Sequence, residues 1–189
     1  MKSKLFLIIP LLAGLISFSS CEEKIPNEMP PETQIGANTL GCIINGKLFI
    51  GGYYPRQGHR AISASYYQIS EKLYISASGA MENKAAGDIV MIIDAPQKNA
   101  MQKFTEADYS PTSDFNPPVG TIGNDIAYCF TFSTVNDGIC TITKFDLNEK
   151  IVSGRFEFMV GCTFNYNDST VTIPITQGRF DLKFDIYDN

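Results

Sequence analysis

The stretch Val152-Ser153-Gly154-Arg155-Phe156-Glu157-Phe158-Met159-Val160 sets Val152, Phe156, Phe158 and Val160 on one parity and Ser153, Arg155 and Glu157 on the other. Successive side chains of a strand point to opposite faces, so this text specifies a strand with one face in a core and one in water. The pattern continues on both sides. Upstream, Ile126, Tyr128, Phe130 and Phe132 alternate with smaller residues, Asn136-Asp137-Gly138 turns, Cys140 and Ile142 follow, and Leu147 to Glu149 turns again. Downstream come Val171 to Thr176 and then Arg179 to Tyr187, where Phe180, Leu182, Phe184 and Ile186 alternate without a break. The spacing predicts a meander followed by two more strand segments, the last long and buried on one side.

Facing residues of an antiparallel pair share a face of the sheet. Placing Cys140 and Ile142 in the core with Phe156 and Phe158 therefore requires an odd number of residues in the loop between them. That register turns Cys129 away from Cys140 and argues against a bridge joining the two.

Toward the N-terminus, Cys42-Ile43-Ile44 and Leu48-Phe49-Ile50 flank Asn45-Gly46, the residue pair that a two-residue hairpin favours because both central positions need φ > 0. Ala61 to Ile69, Leu73 to Ser78 and Ile89 to Ile93 read as further strands. From Asp94 to Gly120 the alternation stops and Pro96, Pro111, Pro117 and Pro118 intervene. This stretch admits a short helix around Asn99 to Glu106 and otherwise reads as a loop packed over a sheet face or used in function. The expected fold is all-β, an antiparallel two-sheet sandwich or partly closed barrel of about nine to eleven strands. One domain over residues 37–189 accommodates it.

The first twenty residues follow another rule. Lys2 and Lys4 precede an apolar run from Leu5 to Phe18, which breaks at Ser19-Ser20-Cys21. As a helix the run spans roughly 21 Å, short of the ~30 Å hydrocarbon core, so residues 1–20 read as a cleaved signal peptide rather than a spanning helix. Phe18-Ser19-Ser20-Cys21 resembles a lipobox, which makes Cys21 the expected lipid attachment site and new N-terminus, with a palmitate among its acyl chains. Residues 21–36 contain Pro26, Pro30 and Pro31 and few apolar side chains. They read as a semi-extended tether, reaching up to about 45 Å in polyproline geometry. The mature chain keeps 13 basic and 20 acidic residues, a formal −7. Such a surface speaks against nucleic acid as a partner.

Cys42, Cys129, Cys140 and Cys162 remain, an even number that allows three disulfide pairings in an oxidising compartment and equally suits buried thiols. No metal-ligand spacing joins them, and no cofactor is expected. Histidine chemistry has only His59 to draw on. Carboxylates such as Asp94, Asp108, Asp114 and Asp125 sit in or beside loops as turn formers. Asn165-Tyr166-Asn167-Asp168-Ser169 offers oxygen ligands but lacks the spacing of a calcium loop. The best candidate for ligand binding is aromatic: Tyr53-Tyr54 and Tyr66-Tyr67 straddle a loop with Arg56, His59 and Arg60, and rings beside cations suit a glycan or protein ligand. Adjacent strand residues face opposite ways, so one tyrosine of each pair belongs to the core.

With these motifs placed, the chain resembles an uncharacterised family of Bacteroidota secreted and outer-membrane lipoproteins. The resemblance lies in Asn45-Gly46-Lys47, in Gly138 and Thr141 through Asp146, in Ile151 through Phe158, and in Gly178-Arg179-Phe180-Asp181. It implies an all-β domain displayed from a lipid anchor at the outer membrane, and supplies no catalytic residue; Glu22-Glu23 after the lipid cysteine resemble acidic surface-export signals and point to the outer face, with the periplasmic face as the alternative. The expected role is binding or structural. A secreted glycan-acting hydrolase is the alternative.

Overall fold

The computed structural model describes residues 25–53, 61–81, 86–103, 106–111, 138–163 and 170–188. Among the described residues there is no helix, and eleven strands share one hydrogen-bonded sheet. β1 (Thr39–Ile44) and β2 (Lys47–Gly51) form the hairpin expected at Asn45-Gly46, whose φ values of 48° and 78° are both left-handed. β3 (Ile62–Tyr67), β4 (Lys72–Met81) and β5 (Ala86–Asp94) follow where the alternation puts them.

The expected helix around Asn99 to Glu106 is replaced by β6 (Ala100–Lys103) and β7 (Glu106–Pro111), so the 94–120 stretch is not simply a covering loop. Asn99 stands at φ 59°, outside the helical region, and the two strands take their form from partners: β7 pairs with β5, and β6 with β8 (Ile139–Asp146). β9 (Ile151–Thr163), β10 (Thr170–Lys183) and β11 (Asp185–Tyr187) complete the sheet. The strand expected over Ile126 to Phe132 lies outside the described residues.

Parity is corrected in two places by β-bulges. The loop between β8 and β9 has four residues, not an odd number; the odd residue is Thr143, where the register slips by one. Strict alternation would have sent Lys144 inward after Cys140 and Ile142. The bulge sends Phe145 inward instead, against Tyr66 and Phe184. In β10 the same device joins two segments of opposite parity: Ile173 and Ile175 are buried on one side of a slip between Ile175 and Gly178, and Phe180 and Leu182 on the other. Val171 to Thr176 and the start of Arg179 to Tyr187 are thus one strand rather than two. Gln177, at φ 53°, lies within the bulge.

The sheet is mixed rather than purely antiparallel, and single rather than double. Its order is β11-β3-β4-β2-β1-β10-β9-β8-β6, with β5 and β7 added at β4. Direction reverses at each step from β10 through β1, β2 and β4 to β3, so β3 runs the same way as β10. β11 continues β10 beyond Phe184 and must meet β3 parallel, as it does. The sheet therefore curls as a half-barrel. Tyr66 of β3 lies edge-on to Phe145 of β8 at 5.1 Å and to Phe184 at 6.2 Å, although β3 and β8 are far apart in strand order. The concave face holds one core, with Leu40, Phe49, Leu73, Ile75, Ile89, Met91, Ile142 and Ile175 fully buried.

Residues 29–36, within the stretch read as tether, lie on this sheet, with Met29 and Pro30 packed over Gly41 and polar bonds holding the rest. A Cβ on Gly41 would fall 2.6 Å from Pro30 Cδ, so the strap passes directly over β1. Asp181, 1% exposed, accepts hydrogen bonds from Thr33 Oγ1 (2.5 Å), the backbone N–H groups of Ile35 (3.1 Å), Gly36 (2.9 Å) and Ala37 (3.1 Å), and Ser153 Oγ (2.7 Å). Left-handed Gly36 and Asn38 (φ 72° and 57°) fold the strap so that its successive N–H groups converge on the carboxylate. Burial pushes this carboxyl upward, but the bonds from Thr33, Ser153, Ala37 and Gly36 prevail and hold it at about 2. Further along, Lys144 Nζ donates to the Gln34 carbonyl, and the Lys183 N–H donates to Asn38 Oδ1.

Of the four cysteines considered for bridges, Cys42 and Cys140 are free, fully buried thiols. Cys129 and the side chain of Cys162 lie outside the described residues. Burial pushes Cys42 upward and raises Cys140 to about 12, so neither is a thiolate near neutral pH. Iodoacetamide at pH 8 is expected to leave both unmodified in the folded protein and to label both in urea, read by peptide mass spectrometry.

Candidate functional site

The outward face of β3, β4 and β5 carries an aromatic surface. In β3, Ala64 and Tyr66 point to the core, which leaves Ser63, Ser65 and Tyr67 outside. In β4, Leu73, Ile75 and Ala77 are buried and Tyr74 is outside; in β5, Ile89, Met91 and Ile93 are buried while Val90 and Ile92 are outside. Register then assembles two rows across the strands. One is Tyr187, Tyr67, Lys72 and Asp94; the next is Asp185, Ser65, Tyr74 and Ile92.

The rings meet across these rows. Tyr67 stacks on Tyr187 with centroids 5.1 Å apart and planes 20° apart, and meets Tyr74 edge-on at 5.1 Å and 74°. Tyr67 and Tyr74 are diagonal neighbours on one sheet face, a spacing at which aromatic side chains reach each other. Tyr74 is 36% exposed and Tyr187 42%, so both offer ring surface to solvent. Lys72 Nζ lies 3.5 Å from Asp94 at the end of the first row, and exposed Ile69 tops the turn beside Tyr67. The result is a contiguous cluster of three rings, two stacked and one edge-on, bordered by hydroxyls and opposite charges.

No protein-family model, no curated protein and no solved structure matches the chain. What the face can do therefore rests on its own chemistry. It has ring faces for stacking and serine hydroxyls and a Lys72–Asp94 pair for hydrogen bonding. Among the described residues no group of His, Cys, Asp or Glu could hold a metal ion.

The structure separates the tyrosines that sequence placed together. Tyr66 belongs to the core, packed on Phe145 and Phe184, and Tyr67 points outward, the split expected of adjacent strand residues. Tyr53 follows β2 and lines a different cavity, of about 470 Å³, with Pro30, Leu40, Ile50 and Ile62. Since Ile62 begins β3 and Tyr67 ends it, the two tyrosines are separated by roughly 16 Å of strand. Tyr54, Arg56, His59 and Arg60 lie outside the described residues, as do Asp114, Asp125 and Asn165 to Ser169. Sequence reasoning missed Tyr74 and Tyr187. The signal was present: each is a large ring on the outward parity of a strand, beside buried Leu73 and Ile75 in one case and half-buried Ile186 in the other.

Proposed function

We propose that the chain is a lipid-anchored cell-envelope binding protein whose outward tyrosine face takes a neutral oligosaccharide. The observation that carries this reading is the contact of Tyr67 with both Tyr74 and Tyr187 on the convex side of the sheet, where no core demands aromatic side chains. Sugar rings present apolar C–H faces and hydroxyl edges, and this patch offers rings flanked by Ser63, Ser65, Ser76 and an ion pair. The lipid anchor at Cys21 and the outer-membrane location rest on the signal-like first twenty residues and on the resemblance to Bacteroidota lipoproteins. For the fold in finer detail, the return of β11 to β3 supports a partly closed barrel over a two-sheet sandwich.

The hydrolase alternative needs a carboxylate pair beside the bound sugar. Of its candidates, Asp94 lies 3.5 Å from Lys72. Turnover abolished by one carboxylate substitution would replace binding with hydrolysis as the function.

The test is thermal melting of the purified chain with a panel of neutral oligosaccharides, since a ligand that binds only the folded state raises its stability by mass action. Tyr74→Ala is expected to weaken the response by about 1 kcal/mol, roughly fivefold in affinity. Loss of the edge-on contact with Tyr67 should also lower the unliganded protein's stability by about 1 kcal/mol, so the ligand-induced shift is compared with each variant's own unliganded midpoint. Equal shifts for Tyr74→Ala and the unsubstituted chain would place the site elsewhere.

A further inference from the structure

Arg155 of β9 and Arg179 of β10 stand directly opposite each other, an arrangement of like charges that destabilises a strand pair. Their 24-residue separation hides this from any reading of charge along the sequence. Both reach the same carboxylate: Arg155 donates from Nε (3.0 Å) and Nη2 (2.5 Å) to Oε2 of Glu32, and Arg179 Nη1 lies 3.8 Å from Oε1. Glu32 belongs to the strap, and the residue after it is already tied to Asp181 through Thr33. Its side chain, 45% exposed, can therefore turn away from the arginines while the strap stays in place.

Beside the two arginines opens a cavity of about 440 Å³ lined by Glu32, Arg155, Arg179, Glu157, Thr141 and Gln177. The charges of its lining balance with Glu32 present. With Glu32 turned out they leave one positive charge in excess, which a single incoming carboxylate neutralises. A guanidinium holds a carboxylate through several charge-assisted bonds at once. The remaining lining sets a hydroxyl, an amide and a carboxylate beside the apolar Ile139 and Phe156, partners respectively for the hydroxyls and the C–H face of a sugar ring. The −7 of the mature chain does not forbid this, because exposed charges beyond about 8 Å are largely screened at physiological salt.

We propose that Arg155, Arg179 and this cavity form a second binding site, for a uronate-type acidic sugar, with Glu32 as a built-in stand-in for the ligand's carboxylate. The site lies on β9 and β10, away from the tyrosine face, and stands whether or not that face binds sugar. Glu32 then acts as a tethered competitor, lowering apparent affinity by the fraction of time it occupies the arginines.

The experiment is an amide-resolved NMR titration of the purified chain and of Glu32→Gln with glucuronate, glucose and acetate. Glucuronate is expected to shift the amides of Thr141, Arg155, Gly178 and Arg179 saturably, with an affinity roughly fivefold higher in Glu32→Gln because the competitor is gone. Arg179→Gln should abolish the response while the rest of its spectrum stays unchanged. No saturable shift in either protein overturns the site, as does an equal response to glucose. Acetate matching glucuronate overturns the sugar assignment, and Glu32→Gln binding no tighter than the unsubstituted chain overturns the stand-in role. Where Glu32→Gln fails to fold, the comparison of Arg179→Gln with the unsubstituted chain decides the site.

Discussion

Asp181→Asn is expected to lower the thermal midpoint by roughly 10 °C, a loss of about 3 kcal/mol, read by calorimetry or circular dichroism. The carboxylate accepts from five donors, and an amide would turn an NH₂ group toward some of them while removing the charge that strengthens the rest. The loss also has a pH signature. A carboxyl held at about 2 in the folded state and 3.8 otherwise contributes stability that is present above pH 3.8 and lost as pH falls through 2. The shift corresponds to about 2 kcal/mol, so the gap in urea stability between the unsubstituted chain and Asp181→Asn should narrow by that amount between pH 5 and pH 2. A constant gap would mean that the substitution acts through packing alone.

Gly79→Ala is expected to cost at least about 3 kcal/mol, despite adding a single methyl group. Gly79 sits where one edge of β4 passes from β3, paired over Lys72 to Ala77, to β2, paired over Gly79 to Met81. A Cβ there would fall 2.3 Å from the Ile50 carbonyl oxygen and 2.8 Å from Gly51 Cα. Both are backbone atoms of the neighbouring strand, so neither can give way without breaking the Gly51–Gly79 pairing. Gly46 is the useful control. A Cβ at Gly46 meets nothing within 4 Å, so Gly46→Ala tests left-handed strain alone and should cost only about 1 kcal/mol. Urea titration of the two variants gives the comparison.

The sequence made visible those parts of the fold that depend on local chemistry. Asn45-Gly46 announces its own turn, and β9 reads as a strand because its parity is unbroken from Val152 to Val160. The bulges at Thr143 and around Gln177 were hidden, because one inserted residue exchanges inside for outside and its justification lies in distant partners. Phe145 turns inward to meet Tyr66 and Phe184. β6 and β7 were hidden for a related reason: Ala100 to Lys103 is too short to show a period, and Glu106 to Pro111 alternates only through Ala107 and Tyr109 and ends in proline, so both become strands by pairing with β8 and β5. The attachment of the strap was hidden because it depends on distant residues, the buried carboxylate of Asp181 on β10 and the bare backbone of Gly41 under Met29 and Pro30, rather than on its own composition.

The candidate site was half visible. Adjacency identified Tyr67 as outward once Tyr66 was inward. Tyr74 and Tyr187 needed the register of three strands, including a parallel pairing that exists only because β11 continues β10 around the curl. The Arg155–Arg179 pair needed the β9–β10 register in the same way. Residues that depend on one strand were readable from sequence, and those that depend on pairing were not.

The most direct measurement is a ring-resolved NMR titration of ¹³C-labelled tyrosine in the intact chain, using a neutral oligosaccharide that raises its melting temperature. The account predicts that the signals of Tyr67, Tyr74 and Tyr187 move together and saturate while that of core Tyr66 stays in place. Saturable binding that leaves those three rings unmoved would contradict it.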